Sequence, residues 1–364
     1  MGWLNIASGV SRLAGVLWAV AVILESGSVL AQAGAGQTKL AALIDSAARE
    51  KEVVFQAPDP ETGLPAGELL REMAALTEKL YGIKLTIRID NALNFSASVA
   101  KAITEIKSGA PPSYDLMFQN AVSGLPLYQN NAYEQIAWLE LFPQLASRDL
   151  SYNGVAPIVM TEFLMPIYNT RLVRAQDAPS SWDDLLNPRW KGKLGVLVNY
   201  EPWALLAQPN AWGQERTLAF LKKLLELNPR IGRIPESHER VLSGETPLAA
   251  FGQRERTHYY RDHRGAPMAA VETVEPVLVY IYVFMIPKGA RNRNAATLVA
   301  AAMMSKEGQE LHQKFRNAAS MFRPGTPSGE FARTHKVVTP DLQFIMGKDY
   351  GDLNKRVSSM LSQR

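Results

Sequence analysis

The sequence predicts an α/β fold of two lobes, each built on a mainly parallel sheet flanked by helices. Short β-like runs alternate with helix-like runs in the first third of the chain, in the order β-α-β-α-β. A second α/β block follows from about residue 159. The chain of 364 residues, less a leader segment, leaves about 330 residues, a length typical of two domains or lobes.

The first block is predicted from hydrophobic periodicity. Its helices are predicted over 40–51, 68–81 and 95–107, and its strands over 52–56, 83–89 and 114–118. In the second helix Leu69, Met73 and Leu76 recur on one side, as in an amphipathic helix. Ligands of parallel sheets bind beyond the carboxyl ends of the strands. The loops at 57–59 and 119–123, with 91–96 between them, are therefore predicted to face a ligand.

The second block shows the same alternation. Its β-like segments are 159–168, 194–198, 247–251 and 277–287, and its helical patterns are 217–227, 237–243, 294–304 and 306–315. Ser305 separates the last two helices and is the predicted N-cap of the second. The chain opens into a polar loop after 251, beginning Gly252-Gln253.

The first 33 residues are predicted to be a signal peptide. Arg12 precedes an apolar run of twelve residues, Leu13 to Leu24, and Ala31-Gln32-Ala33 forms a small-x-small cleavage site. The run is shorter than the ~20 residues that a spanning helix needs. Glu25 directly after the run is unusual for a signal, which leaves an uncleaved anchor as the alternative.

Composition narrows the classes further. The chain has no cysteine, so it carries neither the thiol of a lipoprotein anchor nor a disulfide. Its net charge is only +4, and Lys and Arg are dispersed among Asp and Glu without a basic arm, so no nucleic-acid partner is expected. A soluble periplasmic protein fits these features best.

Several segments occur in an order and spacing that together point to a known family. They are Tyr114-Asp115-Leu116, Tyr168-Asn169-Thr170, the stretch 179–193 (PSSWDDLLNPRWKGK), Ser243-Gly244-Glu245, 286–290 (IPKGA) and 304–309 (MSKEGQ). With them the chain resembles a bacterial ABC-transporter substrate-binding protein, of the group that includes the ferric-ion, thiamine, polyamine and phosphonate binders. Within 179–193, Ser181 is the predicted N-cap of a helix with Asp183 and Asp184 in its first turn. That segment and 304–309 are interpreted as scaffold.

The resemblance implies a two-lobed periplasmic-binding-protein fold of type II, hinged at its cleft. It implies lobe 1 over 34–144, lobe 2 over 145–275, a return segment of lobe 1 over 276–320, and a C-terminal helical segment packing on lobe 2 over 321–364. It further implies a monomer that captures a small-molecule ligand by hinge closure and delivers it to an inner-membrane ABC permease. No cofactor, metal centre or catalytic residue is expected. A periplasmic sensor as partner is the alternative to a permease.

Ten side chains on loops facing the cleft are the candidate ligand residues. They are Asp59, Asn94, Ser96, Asn120, Asn199, Tyr200, Glu201, Trp203, Arg254 and Arg256. Asn94 and Ser96 could instead only cap their helix, although a helix N-terminus is also a ready anion site. Tyr200 and Trp203 could instead be core aromatics.

Arg254 and Arg256 favour an organic anion as the ligand. They stand where the resemblance would place adjacent tyrosine ligands of ferric binders, and the tyrosine pair Tyr259-Tyr260 comes later. A guanidinium cannot bind Fe³⁺, but its fork suits a phosphonate or carboxylate. A solvated, salt-bridged turn is the plain alternative for these residues. Ferric ion stays open as a second ligand, and a polyamine as a third, with carboxylates such as Asp59, Glu201 and Glu275.

Enzymatic motifs are missing from the sequence. It contains no GxSxG, P-loop or GxGxxG, and no cysteine nucleophile. The five histidines, His238, His258, His263, His312 and His335, form no HExxH or other zinc spacing. A binding protein is therefore predicted rather than an enzyme.

The predicted signal peptide is tested by intact-mass measurement of the exported protein. We expect the first residue near Gly34, because cleavage follows the small-x-small site. A mass that retains Met1 would instead indicate a membrane-anchored form.

Overall fold

A computed structural model describes residues 36–57 and 66–362 of the chain. The predicted signal peptide and the candidate ligand residue Asp59 lie outside the described residues. None of the helices in the described part is long and apolar enough to span a membrane.

The described strands and helices alternate along the chain. The strands are β1 (Glu52–Gln56), β2 (Thr86–Asp90), β3 (Leu116–Asn120), β4 (Leu150–Ser151), β5 (Ala156–Asn169), β6 (Leu194–Leu197), β7 (Arg230–Gly232), β8 (Leu248–Gln253), β9 (Met268–Ala270), β10 (Val277–Met285) and β11 (Val337–Val338). The helices are α1 (36–50), α2 (Ala66–Tyr81), α3 (Phe95–Lys107), α4 (Leu125–Gln129), α5 (Trp138–Leu141), α6 (Glu201–Ala207), α7 (Gln214–Glu226), α8 (Ile234–Ser243), α9 (Arg254–Arg264), α10 (Arg293–Met304), α11 (Lys306–Arg316), α12 (Pro327–Thr334), α13 (Leu342–Met346) and α14 (Lys348–Ser362). Short 3-10 turns cover Ser147–Asp149, Ala175–Asp177, Asp183–Leu186 and Pro188–Trp190.

The strands form one continuous sheet in the order β2-β1-β3-β10-β5-β8-β6-β7. β1 pairs parallel with β2 and β3 at one end, and β6 pairs parallel with β7 and β8 at the other. Each parallel group with its helices is one lobe, as the sequence predicts. We call the group with β1 the first lobe and the group with β6 the second.

β5 and β10 join the two lobes. β5 pairs antiparallel with β10 over Ile158–Leu164 and with β8 and β9 over Leu164–Asn169. β10 in turn pairs antiparallel with β3 of the first lobe. All fourteen residues of β5 and all nine of β10 are buried, so both strands run through the middle of the molecule. The predicted lobe boundaries at residues 145 and 276 remain predictions.

Element predictions were accurate at β1 and α3, and wrong at α6 and at the start of α9. β1 and α3 have the predicted bounds, 52–56 and 95–107. α6 and the start of α9 were predicted as loops. α6 is almost wholly buried and α9 is strongly polar, so neither shows a clear apolar stripe that would mark a helix.

The segment 179–193 anchors the second lobe through Trp182. The indole is buried, packs on Phe251 with ring centroids 5.2 Å apart, and donates its N–H to the carbonyl oxygen of Pro276 at 3.1 Å. Ser181 Oγ does accept the Asp184 N–H at 3.3 Å, as a cap would. The predicted helix, however, is only a 3-10 turn, Asp183–Leu186, because Pro188 follows at once. The scaffold interpretation fits these contacts.

The segment 304–309 fixes α11 to β5. Ser305 is the N-cap of α11, as predicted, and its Oγ accepts the Gly308 N–H at 3.1 Å. Gln309 Nε2 donates to the carbonyl oxygen of Val159 at 3.0 Å. A Cβ at Gly308 would lie 2.3 Å from the carbonyl oxygen of Ala302, so α10 and α11 approach each other closely only because residue 308 is glycine.

Gly308→Ala is expected to destabilise the protein by about 1–3 kcal/mol, because the added methyl group meets backbone that cannot move aside. The measurement is chemical denaturation of both proteins. Gly351→Ala is the matched control, since Gly351 lies in α14 with nothing within 4 Å of the added Cβ. That variant should gain up to about 1 kcal/mol in helix propensity. Equal effects of the two substitutions would contradict the close approach.

Candidate functional site

A cavity of about 470 Å³ lies between the lobes, over the two strands that join them. Residues of both lobes, of β5 and of β10 line it. They are Asn94, Phe95, Ser96, Phe118, Asn120, Ser123, Glu162, Asn199, Tyr200, Glu201, Arg233, Ile234, Pro235, Gln253, Arg256, Tyr280, Tyr282 and Arg316. β3 ends at Asn120 and β8 ends at Gln253, so the cavity is at the carboxyl ends of these strands, where a ligand is expected.

The joining strands form the floor of the cavity. β5 contributes Glu162, and β10 contributes Tyr280 and Tyr282, which share one face because side chains alternate along a strand. Tyr282 donates its O–H to Glu162 Oε2 at 2.8 Å, and the Gln253 side-chain amide donates to the same oxygen. The ring of Tyr282 stacks on Phe118 with centroids 5.1 Å apart. The floor is thus a hydrogen-bonded layer that spans both lobes.

Arginine side chains make one part of the cavity cationic. Arg256 from α9 is only 8% exposed, and its buried Nε and Nη1 have no hydrogen-bond partner among the described residues. Arg316, the last residue of α11, lies over the Phe118 ring at 5.1 Å. Burial raises the pKa of Glu162, while the charges of Arg256 and Arg316 act in the opposite direction. The Nε and Nη1 groups of Arg256 are therefore available to donate hydrogen bonds to a further acceptor.

Helix N-termini from both lobes reach the cavity. α3 begins at Phe95, and Asn94 caps it by accepting the Ala97 N–H at 3.0 Å. α8 begins at Ile234, after Arg233. The first N–H groups of a helix have no partner within the helix and carry its positive dipole end, so they favour a negative group. Asn94 thus caps its helix and lines the cavity at once.

Glu201 contributes an acidic group from the second lobe. It is the first residue of α6, is partly buried, and accepts the Ser123 hydroxyl of the first lobe at 3.4 Å. Burial raises the pKa of Glu201 to about 7, and the hydroxyls of Tyr280 and Ser123 oppose that rise. This contact is a direct link between the lobes across the cavity.

The C-terminal helix α14 orients a cavity residue. Tyr350 donates its O–H to the Tyr200 hydroxyl at 2.6 Å, and the two rings meet edge to face with centroids 5.5 Å apart. Tyr200 lines the cavity, whereas Tyr350 lies behind it. The sequence offers no signal for this pairing, because 150 residues separate the two tyrosines.

Seven of the ten predicted ligand residues line this one cavity. They are Asn94, Ser96, Asn120, Asn199, Tyr200, Glu201 and Arg256. Arg254 and Trp203 are not among its lining residues, and Asp59 lies outside the described residues.

Arg254 faces away from the cavity because it starts a helix rather than a turn. Residues two apart on a helix point about 200° apart, so Arg254 and Arg256 cannot face the same site. Arg254 Nε is 2.7 Å from Glu272 Oε1, its Nη1 is 3.3 Å from Glu255 Oε1, and its guanidinium lies 4.2 Å from the centre of the Phe331 ring. Arg254 is therefore a salt-bridged residue, as the plain alternative has it, whereas Arg256 lines the cavity.

Trp203 is a core residue. It is fully buried, packs edge to face on Phe251 at 4.9 Å, and donates its indole N–H to the carbonyl oxygen of Leu197 at 3.4 Å. The core alternative stated for Trp203 is the one the structure supports.

Sequence reasoning missed the polar floor and two of the three arginines that line the cavity, Arg233 and Arg316. Glu162, Gln253, Tyr280, Tyr282 and Arg316 were not predicted to line the site. A signal was present for Glu162, since a carboxylate in an apolar strand such as 159–168 needs a specific partner. Tyr280 and Tyr282 gave no such signal, because they lie in a continuous run of apolar and aromatic residues that is typical of a core strand.

In residues 36–57 and 66–362 no group of three or more His, Cys, Asp or Glu side chains could hold a metal ion. The tyrosine pair considered for iron does not line the cavity: Tyr259 packs on His263 at 4.7 Å, and Tyr260 is buried.

A second hollow, of about 750 Å³, lies at the edge of the first lobe between α1, α2 and β2. It is lined by exposed charges such as Lys51 and Lys84, and none of its lining residues holds a buried polar atom without a partner. It has the character of a surface groove rather than a ligand site.

Comparison with known proteins gives matches over most of the chain. Residues 112–339 match the family model of the bacterial extracellular solute-binding proteins. A Haemophilus influenzae relative, described as an uncharacterized protein, is 28% identical over 263 residues, covering 65% of this chain and 71% of that protein.

Solved structures share the fold. Iron-bound HitA from Pseudomonas aeruginosa aligns with a TM-score of 0.63 at 18% identity, covering 86% of this chain and 98% of its own. The apo ferric ion-binding protein A of Pasteurella haemolytica gives 0.65 at 19%, covering 85% and 98%. The substrate-binding protein of an Agrobacterium tumefaciens ABC transporter gives 0.69 at 13%, covering 85% and 94%. At these identities the likeness is one of fold.

Glu201 should make stability depend on pH. Its pKa is raised from 4.5 to about 7 in the folded state, so the folded protein holds this proton more tightly than the unfolded chain. The resulting stabilisation is present at low pH and is lost as pH rises from 4.5 to about 7. Relative to Glu201→Gln, the wild type should lose about 1–3 kcal/mol between pH ~5 and pH ~8.

Urea denaturation at both pH values measures this difference. Glu226→Gln, at an exposed glutamate of α7, is the control and should follow the wild type. Parallel pH dependence in Glu201→Gln and the wild type would contradict the raised pKa.

Proposed function

Because the chain belongs to the bacterial extracellular solute-binding proteins, we propose that its cleft captures a small organic anion, such as a phosphonate or carboxylate, for an ABC importer. The family consists of binding proteins, and the chain is a solute-binding receptor of the ABC-importer type. The proposal concerns the ligand, and it includes no covalent step.

The observation that carries this proposal is the unpaired guanidinium of Arg256. Its Nε and Nη1 are buried without hydrogen-bond partners among the described residues. Leaving buried donors of a charged group unpaired costs about 1–3 kcal/mol or more each. A phosphonate or carboxylate oxygen would satisfy them, and the planar fork of arginine matches such groups.

The surroundings of Arg256 favour the same ligand. Arg316 and Arg233 also line the cavity, and the N-termini of α3 and α8 face it from opposite lobes. An anion held by Arg256 can therefore contact both lobes only when these lie close together. Such a ligand stabilises the closed state over the open one, which is the population shift expected of this fold.

Ferric ion is the alternative that one observation favours. Tyr280, Tyr282, Glu162 and Glu201 bring oxygen donors to one cavity, and HitA is described as iron-bound. Against iron, the Tyr282 hydroxyl already donates to Glu162, and the charges of Arg256 and Arg316 act on this carboxylate. A trivalent cation would have to displace both interactions, so we favour the anion.

A polyamine is less well supported. Of its three candidate carboxylates only Glu201 lines the cavity among the described residues. Glu275 accepts the Lys336 N–H at 3.0 Å, away from the cavity, and Asp59 lies outside the described residues.

Export and assembly complete the proposal. The predicted signal peptide and the family description support a periplasmic location. We propose that the receptor is a monomer there and that its partner is an inner-membrane permease. A periplasmic sensor would use the same closed state.

Arg256→Ala is expected to weaken anion binding by about 1.5–3 kcal/mol, the magnitude of a charge-assisted hydrogen bond. A thermal-shift screen of the mature protein with alkylphosphonates, small carboxylates, ferric citrate and spermidine identifies a probe, and calorimetry then gives the dissociation constants.

Arg254→Ala is the matched control for this prediction. Arg254 lies on the same helix, two residues away, but contacts Glu255 and Glu272 instead of the cavity. This variant should keep the affinity and lose stability. A shift with ferric citrate alone, or equal loss of affinity in both variants, would overturn the anion proposal.

A further inference from the structure

Tyr152 lies between β4 and β5, in a turn with an unusual backbone. Its φ angle is 51°, and Asn153 and Gly154 continue the turn with φ angles of 55° and 93°. This left-handed region suits glycine and asparagine, whereas a bulky aromatic residue adopts it only under strain. Glycine or asparagine at residue 152 would form the same turn at a lower cost. The tyrosine therefore indicates that its side chain is required at this place.

The side chain of Tyr152 is fully buried and reaches the carboxyl end of β3. Its hydroxyl donates to the carbonyl oxygen of Ala121, the first residue after this strand. The ring stacks on Tyr128 with centroids 5.3 Å apart, and Tyr128 stacks on Tyr133 at 5.7 Å. Burial raises the pKa of Tyr152, so the hydroxyl keeps its proton and acts as a donor. The stacked rings hold this donor in one direction.

The turn 121–124, which follows β3, is held from two sides. The Ala121 N–H donates to the carbonyl oxygen of Ile281 in β10 at 2.8 Å, while the Ala121 carbonyl accepts the Tyr152 hydroxyl. A Cβ at Gly124 would lie 3.1 Å from the Tyr152 hydroxyl oxygen, so the glycine leaves the room that this hydroxyl needs. The glycine and the strained tyrosine are thus both fitted to one hydrogen bond.

The same turn carries Ser123 to the cavity. Ser123 lines the cavity and donates its hydroxyl to Glu201 of the second lobe at 3.4 Å. This distance is near the limit of a hydrogen bond, so a small displacement of Ser123 breaks the contact. Ser123 is two residues from Ala121, so a shift of the Ala121 carbonyl moves the serine as well. The contact between the lobes therefore depends on the group that holds this carbonyl.

We infer that Tyr152 is a positioning residue of the receptor, whose hydroxyl holds the turn 121–124 so that Ser123 meets Glu201 across the cavity. Tyr152 is not among the residues that line the cavity, and it acts through the turn. The inference rests on the proposed capture of a solute in this cavity, but it does not depend on which solute is bound. The position of the hydroxyl then accounts for the strained backbone at residue 152.

Tyr152→Phe tests the inference, because it removes the hydroxyl and keeps the ring stack. The turn loses one of its two anchors, so amide hydrogen exchange in peptides covering 119–125 should be about 10-fold faster than in the wild type, the effect of one lost hydrogen bond. Exchange in peptides covering 277–285, within the core, should change much less. Mass spectrometry of both regions measures this difference without any ligand.

Tyr128→Phe is the matched control. It removes a hydroxyl from the same ring stack, but this hydroxyl accepts the side-chain N–H of Asn153 at 3.0 Å instead of holding the turn. The control should leave exchange in 119–125 at the wild-type rate. Melting temperatures of both variants show that they are folded under the conditions of the measurement.

Solute affinity gives a second readout. Propylphosphonate, butyrate, ferric citrate and spermidine are titrated by calorimetry, and a probe that binds is used for the variants. Tyr152→Phe should weaken its binding about 5-fold to 10-fold, and Tyr128→Phe should not. In a Ser123→Ala background the same tyrosine substitution should cost less than about 2-fold, because Tyr152 acts through Ser123.

The outcomes separate this inference from the proposed function. Faster exchange throughout the protein, or an equal effect of Tyr128→Phe, would give Tyr152 only a structural role and overturn the inference. An undiminished loss of affinity in the Ser123→Ala background would also overturn it. Binding of ferric citrate alone, or of no probe, would overturn the anion proposal, and the exchange in 119–125 would then decide the role of Tyr152.

Discussion

The antiparallel pairing of β5 with β10 is the interaction on which the rest of the structure depends. These two buried strands make one sheet out of two parallel groups, and they carry Glu162, Tyr280 and Tyr282 into the cavity. The first lobe adds α3 to one side of that floor, and the second adds α8 and α9 to the other. Polar side chains on these otherwise apolar strands therefore form the floor of the cavity.

The hydrogen-bonding groups of the cavity are not all paired within the described residues. Glu162 already accepts hydrogen bonds from Tyr282 and Gln253. The buried Nε and Nη1 of Arg256 have no partner among the described residues, so the arginine can still bind an acceptor. Glu201, from the second lobe, accepts the Ser123 hydroxyl of the first lobe. Buried guanidinium donors without an acceptor lower the stability of the folded protein, and an acceptor bound there would restore it.

Much of the scaffold could be predicted from sequence, because its elements have strong apolar periods. β1 and α3 have the predicted bounds, and Ser305 caps α11 as predicted. Arg254 was wrongly placed at the cavity because residue 254 was predicted to lie in a turn. It is in fact the first residue of α9, and a helix orients residues 254 and 256 differently from a turn. The loops after the strands were identified because the position of a ligand in such sheets depends on strand direction.

The floor and the back of the site were beyond prediction for a different reason. Tyr280 and Tyr282 lie in a β-strand of nine buried residues, where an aromatic residue is normally core. The hydrogen bond from Tyr350 to Tyr200 joins residues 150 positions apart. Contacts between residues so far apart in the chain depend on tertiary packing, so local patterns in a single sequence cannot predict them.

The contact between Tyr350 and Tyr200 has a consequence for how the receptor matures. α14 follows every other described element in chain order, yet it fixes the hydroxyl of a residue in the cavity. A polypeptide emerges from its N-terminus, from the ribosome or across a membrane, so both lobes can be assembled before this helix is available. The Tyr200 side chain is then the last part of the cavity wall to be fixed in position. The cavity is complete only after the chain has emerged as far as α14.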